Sequence, residues 1–135
     1  MTWRQSLIRI STYEVEVMQK RLAEVVDRRS EAEMRLAVLE GEAEAEMDHA
    51  RRDGDAAMRL GVYMIGVRQR RARIQDEITQ IGHEETGARD ALGEAFEAMK
   101  KYEQVAEMAR VAEAREAGRR ETAELDELGL RVRAG

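Results

Sequence analysis

The sequence predicts an all-α protein, a long antiparallel two-helix coiled-coil hairpin, and three observations lead to this fold class. Two segments carry apolar residues at alternating spacings of three and four, a short polar segment with glycine separates them, and proline is absent. A helix brings residues at this spacing into one narrow stripe, which is buried by pairing with a second helix. With 4% aromatic and 38% charged residues, the chain lacks the bulky side chains that centre a globular core.

The first stripe belongs to a helix predicted over about residues 6–52, with Ser6 as its N-cap. Nine of its eleven positions are apolar, and the positions between them are mostly charged or polar. Such a stripe is too narrow for the side of a globular core and indicates a coiled-coil strand. Its positions are Ile8, Ser11, Val15, Met18, Leu22, Val25, Arg29, Ala32, Leu36, Leu39 and Ala43.

An Asp-Gly-Asp triplet at residues 53–55 is the strongest break in the sequence, because Gly ends helices and Asp caps them. We predict a turn over about residues 53–61, a second helix over about residues 62–128 and a frayed C-terminus, in a single domain over residues 1–135. Thirteen of the fifteen positions of the second stripe are apolar. These positions are Leu60, Met64, Val67, Arg71, Ile74, Ile78, Ile81, Glu85, Ala88, Leu92, Ala95, Met99, Tyr102, Ala106 and Ala109.

The charged residues within the stripes predict the register of the hairpin. Folding the chain about residue 57 places Arg29 opposite Glu85. A hairpin half a heptad tighter places Arg29 opposite Ile78 and Glu85 opposite Leu22, which leaves both charges unpaired among apolar side chains. We therefore predict the first register.

Positive charge is concentrated at the bend. Residues 51–73 contain seven Arg and two acidic residues, a net charge of +5, whereas the whole chain has a net charge of −5. A single basic cluster on an acidic chain does not favour nucleic acid as a partner.

The same basic segment contains Gly61–Val67, which has more apolar residues than one stripe can bury. If Met64 and Val67 face the first helix, Tyr63 and Ile65 lie partly outside the helix pair. An exposed apolar patch with Arg around it is typical of a protein-interaction site. The alternative is that these side chains close over the bend.

No residue pattern predicts catalysis, a cofactor or a metal ion. The chain has no Cys, and its two histidines, His49 and His83, have no metal-ligand spacing. We expect no signal peptide and no direct membrane insertion, because the longest apolar run is far below the ~20 residues that span a bilayer. The expected location is cytoplasmic.

Two segments near the start, Ser6–Glu16 and Gln19–Glu24, resemble flagellar FliJ proteins, particularly those of alphaproteobacteria. The resemblance implies an antiparallel coiled coil similar to the shaft subunit of rotary ATPases. It implies a non-enzymatic stalk and general chaperone of the flagellar type III protein export apparatus, which serves cell motility and chemotaxis. Its implied partners are the export ATPase ring, the membrane export gate and export chaperones, at the cytoplasmic face of the inner membrane.

The resemblance also implies where the two main partners bind. In the family the paired chain ends enter the ATPase ring, and the gate contact uses an aromatic and then aliphatic residues early in the second helix. For the ring, the candidate residues are Trp3, Leu7, Val111, Leu125 and Leu128. For the gate, the resemblance and the basic bend together give Tyr63, Ile65, Val67, Arg68, Arg70, Arg71 and Ile74.

A competing hypothesis is a generic coiled-coil adaptor or oligomerising scaffold, whose helices pair between chains. A monomeric hairpin in solution favours the stalk, and a dimer that forms with rising concentration favours the scaffold.

Overall fold

A computed structural model describes residues 2–134, which form two α-helices, α1 (Trp3–Arg52) and α2 (Gly54–Ala134). No β-strand is present in this part of the chain. Ion pairs join the helices in an antiparallel sense, since Arg28 pairs with Glu84 and the later Arg35 pairs with the earlier Glu77. The predicted all-α coiled-coil hairpin is therefore confirmed.

The chain forms two compact units, each containing part of both helices. We call Val17–Gly93 the bend unit, and Met1–Glu16 with Glu94–Gly135 the terminal unit.

In the bend unit, every position of both predicted stripes is buried or half-buried. The buried apolar residues form two clusters, and both contain residues of α1 and α2. The first contains Val25, Ala32 and Ile81, with Ile78 packed against it. The second contains Leu39, Ala43 and Val67, with Tyr63, Met64 and Ile74 packed against it.

The terminal unit continues the same pattern with smaller side chains. Val15 and Ala106 are buried, and so is Ser11, whose hydroxyl donates a hydrogen bond to the Ile8 carbonyl oxygen at 2.9 Å. This bond satisfies the one polar side chain that the α1 stripe places there. Tyr102 departs from the pattern, because 40% of it remains exposed.

A partly buried ion pair in the bend unit confirms the predicted register. Arg29 on α1 donates a hydrogen bond to the Glu85 carboxylate on α2. Glu85 is only 7% exposed, and its second oxygen accepts a hydrogen bond from Arg89 at 3.2 Å. Both carboxylate oxygens therefore have a cationic partner, which offsets the cost of burying the charge.

An exposed ion pair joins the helices between the two apolar clusters. The hydrogen bond from Arg35 to Glu77, 2.7 Å long, lowers the pKa of the Glu77 carboxyl below its ordinary value. Because the folded pKa is lowered, this contribution to stability is present above the ordinary carboxyl pKa and is lost as the pH falls through the folded value. Both side chains are about half exposed, so the contribution is small.

The connection between the helices is shorter than the predicted turn over residues 53–61, because α2 already begins at Gly54. Asp53 serves both helices. Its N–H donates to the His49 carbonyl at 3.1 Å, its own carbonyl accepts from the Ala57 N–H at 3.0 Å, and its carboxylate accepts from the Asp55 N–H at 3.0 Å. These bonds satisfy backbone groups at the end of α1 and at the start of α2. The hairpin therefore needs no loop beyond Asp53 itself.

The outer ends of both helices also extend beyond the predicted limits. Thr2, rather than Ser6, caps α1: its hydroxyl accepts a hydrogen bond from the Gln5 N–H at 3.2 Å, and Gln5 Oε1 accepts one from the Thr2 N–H at 3.0 Å. This reciprocal pair is a capping box. At the other end α2 continues to Ala134, beyond the predicted limit near residue 128, in a segment rich in strong helix formers.

Replacing Arg29 with Leu is expected to lower the free energy of unfolding by about 1–2 kcal/mol, because it removes one partner of a buried carboxylate. The loss is kept below the ~3–5 kcal/mol of fully buried pairs because Arg89 still contacts Glu85. The double variant Arg29→Leu, Glu85→Leu should recover the loss. The wild type, the two single variants and the double variant form a double-mutant cycle, and urea denaturation of these four proteins gives the coupling energy between Arg29 and Glu85. Strictly additive losses of stability would contradict the role of the pair.

Candidate partner-binding surfaces

The arginine-rich segment, residues 51–73, covers the end of α1 and the first turns of α2. Within residues 2–134, five of its seven Arg side chains form no salt bridge with a carboxylate. These cationic side chains retain their capacity to pair with an acidic partner. They are Arg52, Arg59, Arg68, Arg70 and Arg73.

Three residues predicted to contact a partner at the bend lie instead in the seam between the helices. Val67 is 0% exposed, and Tyr63 and Ile74 pack against the cluster that contains it. Tyr63 lies one helical turn before Val67, so both side chains point towards α1. In the hairpin Val67 therefore has no surface exposed to a partner, and Tyr63 fits the alternative in which its side chain closes over the bend.

The other four predicted residues differ in their availability. Arg71 is half-buried, with its Nε 3.6 Å from a carboxylate oxygen of Glu40 on α1. Arg68, Arg70 and Ile65 are exposed. The structure thus leaves these three available to a partner.

An apolar stripe on the outside of α2 was missed by the sequence analysis. Met58 is 85% exposed, Val62 is 78% exposed and Ile65 is 54% exposed. Their i, i+4, i+7 spacing places them on one face of α2, on the side away from the seam. We call these three residues the outer stripe. The signal was present in the sequence, since the helical spacing that identifies the seam also identifies this second face.

A shallow groove of about 440 Å³ lies between the helices in the bend unit. Apolar side chains form part of its lining, and Arg and Glu side chains complete it. Its residues are Arg35, Val38, Leu39, Glu42, Arg70, Arg73, Ile74 and Glu77. Within residues 2–134, no group of three or more His, Cys, Asp and Glu residues could hold a metal ion.

The terminal unit contains the residues predicted to contact the ATPase ring. Leu7 and Val111 are half-buried, whereas Trp3, Leu125 and Leu128 are 56%, 67% and 53% exposed. An ion pair between Arg4 and Glu113 joins the two helices near the start of α1.

Beyond Val111, every described residue of α2 is exposed. We call residues 112–134 the α2 tail. Its apolar side chains have no covering helix in the part of the chain that the structure describes. Ion pairs one turn apart, such as Glu116 with Arg120 at 3.4 Å and Glu127 with Arg131 at 2.9 Å, support this exposed helix.

Comparison with known proteins identifies the family. A family model described as Flagellar FliJ protein matches residues 5–134. The chain belongs to this FliJ family. Among its relatives are the flagellar FliJ proteins of Caulobacter vibrioides strains NA1000 / CB15N and ATCC 19089 / CIP 103742 / CB 15. Each is 50% identical over 129 residues, which cover 96% of this chain and 93% of the relative.

The predicted resemblance to flagellar FliJ proteins, particularly those of alphaproteobacteria, is thereby confirmed. No solved structure matches the chain. Neither helix of this FliJ-family protein, over the residues described, is long and apolar enough to cross a membrane.

Tyr63→Ala is expected to lower the free energy of unfolding by about 1–2 kcal/mol, a fraction of the ~3–5 kcal/mol typical of fully buried aromatic residues, because Tyr63 is half-buried. Ile65→Ala, on the outer stripe, should change it by less than about 0.5 kcal/mol. Thermal and urea denaturation compare the two. Equal losses would contradict the assignment of Tyr63 to the seam and Ile65 to the surface.

Proposed function

We propose that this FliJ-family protein is a non-enzymatic stalk and general chaperone of the flagellar type III protein export apparatus. In this role it links the ring of the export ATPase to the membrane export gate and escorts export chaperones. One observation carries the proposal: a member of a flagellar family offers two separate exposed surfaces, one in each compact unit. A coupling protein needs two such surfaces, because it must hold two partners at once.

The ATPase ring is proposed to bind the terminal unit. There the two helices pair through small and medium side chains, and the α2 tail extends with uncovered apolar residues. Such a helix offers anchors that a ring-lining surface can bury on complex formation. The candidate contacts remain Trp3, Leu7, Val111, Leu125 and Leu128, of which Trp3, Leu125 and Leu128 are the most exposed.

The export gate is proposed to bind the bend unit. Exposed Arg68 and Arg70 speed encounter with an acidic surface through Coulomb attraction, and exposed Ile65 supplies apolar contact. Of the earlier candidates, Arg71 supports this surface from its place beside Glu40. This assignment places the protein in the cytoplasm, held at the inner membrane by its partner rather than by insertion of its own helices.

The alternative function is a scaffold whose helices pair between chains. The seam residues of α1 find their partners on α2 of the same chain, which favours the monomeric hairpin. Sedimentation equilibrium across a hundredfold range of concentration distinguishes the two functions. A constant monomer mass supports the stalk, and a dimer that forms with rising concentration supports the scaffold.

Deleting residues 111–135 is expected to weaken stimulation of the export ATPase and to leave binding to the export gate unchanged, because the deletion removes the tail and not the bend. Leu125→Ser with Leu128→Ser should reproduce the loss in the full-length chain. Removing two apolar anchors costs about 2–3 kcal/mol of binding, which corresponds to a rise of about thirtyfold or more in the protein concentration needed for half-maximal stimulation.

The matched control is Ala114→Ser with Ala117→Ser, which changes the same helix without removing large apolar groups. ATPase rates titrated with each variant provide the measurement. Full stimulation of the ATPase by the truncated chain would contradict a role for the α2 tail in the proposed ring contact.

A further inference from the structure

We infer that the outer stripe of α2 is a docking surface for an acidic amphipathic helix of a partner protein. The identity of that partner as the export gate rests on the proposed function, whereas the chemistry of the occupant rests on the residues described below. Three features define the surface: uncovered apolar side chains, glycines beside them, and arginines without acidic partners.

The apolar part of the surface is left over after the helices have paired. Val67 and Ile74 are taken up by the seam, yet Met58, Val62 and Ile65 remain 85%, 78% and 54% exposed. Met58 to Ile65 occupies two turns of a helix, or roughly 10 Å along its axis. This length and spacing suit the anchors of a second helix laid along α2.

Two glycines flank the outer stripe, and nothing within the described hairpin requires them. Gly61 and Gly66 both have helical backbones, and a Cβ atom added to either would meet nothing within 4 Å. Glycine weakens a helix relative to alanine, so two of them within six residues reduce the stability of α2. Small residues allow a second helix to approach closely, and such an approach accounts for glycine at these two positions.

Charge determines which helix fits. Arg59 and Arg68 lie at the margins of the outer stripe, and neither forms a salt bridge with a carboxylate among the described residues. A helix with Asp or Glu on both sides of an apolar stripe would pair with these guanidinium groups. A basic helix of the same shape would be repelled.

The same charges disfavour two other occupants. A second copy that docks through the same face would bring two segments of net charge +5 together, which costs free energy. A bilayer surface would have to accept the outer stripe beside α1, and residues 1–50 of the chain, which form nearly all of α1, carry a net charge of −4. A partner helix that covers only the outer face of α2 avoids both costs.

The test uses two synthetic helical peptides with the same Leu stripe, one with Glu on its flanks and the other with Lys. Binding to the full-length chain is measured by fluorescence anisotropy. The acidic peptide should bind at least tenfold more tightly than the basic one. Val62→Ser with Ile65→Ser should weaken binding of the acidic peptide at least tenfold, and Met34→Ser with Val38→Ser, a pair equally exposed on α1, should change it less than twofold.

Two further variants separate docking from folding. Gly61→Ala with Gly66→Ala should raise the melting temperature and weaken peptide binding at least threefold, since the added methyl groups stabilise the helix and block close approach. Arg59→Gln with Arg68→Gln should flatten the salt dependence of the affinity. Equal binding of both peptides, or binding that is unaffected by Val62→Ser with Ile65→Ser, would overturn the inference.

The same variants are then titrated with the purified cytoplasmic part of the export gate protein. A tenfold loss with Val62→Ser and Ile65→Ser supports both the inference and the proposed gate contact. If the gate protein does not bind the wild-type chain while the acidic peptide does, the gate contact fails and the docking surface stands. Two other outcomes would reject the acidic helix as the occupant: dimers lost on Val62→Ser with Ile65→Ser, or tighter binding to phosphatidylglycerol vesicles than to the acidic peptide.

Discussion

The register in which α1 pairs with α2 depends on one buried carboxylate. The apolar residues of the seam supply most of the free energy of pairing, but Leu, Val and Ala can replace one another when a helix slides by half a heptad. Glu85 cannot accept such a slide, because it would lose Arg29 and face apolar side chains while buried. The ion pair thus selects one register from several that the apolar residues alone would tolerate.

The selected register decides which residues remain for a partner. Once Val67 is enclosed beside Leu39, the face of α2 that carries Val62 must turn away from α1. The same rotation leaves Arg59 and Arg68 at the margins of the exposed face, and neither forms a salt bridge with a described carboxylate. A polar contact in the middle of the bend unit therefore governs the surface offered near the bend.

The seam and its register were predictable because both depend on spacing and on a simple charge conflict. The turn was not, because glycine at position 54 suggested a loop, whereas the bonds made by Asp53 allow a helix to begin at once. The sequence left two alternatives open for Tyr63, a partner contact and closure over the bend, for a related reason. Spacing places Tyr63 beside the seam rather than in it, and only the structure shows that its side chain packs against the cluster of Leu39, Ala43 and Val67. The outer stripe obeys the same spacing rule, so it too was predictable from the sequence.

The single residue between the helices has a consequence for how the chain can vary in length. Asp53 contributes a hydrogen-bonding group to each helix, so the connection has no flexible loop that could accommodate an extra residue. An insertion just after it would extend α2 by one residue and turn every later side chain by about 100° around the axis, carrying Glu85 out of reach of Arg29. The connection at Asp53 therefore fixes how the seam residues of α2 are oriented towards those of α1. Only an insertion or deletion of close to a whole number of helical turns would preserve that orientation.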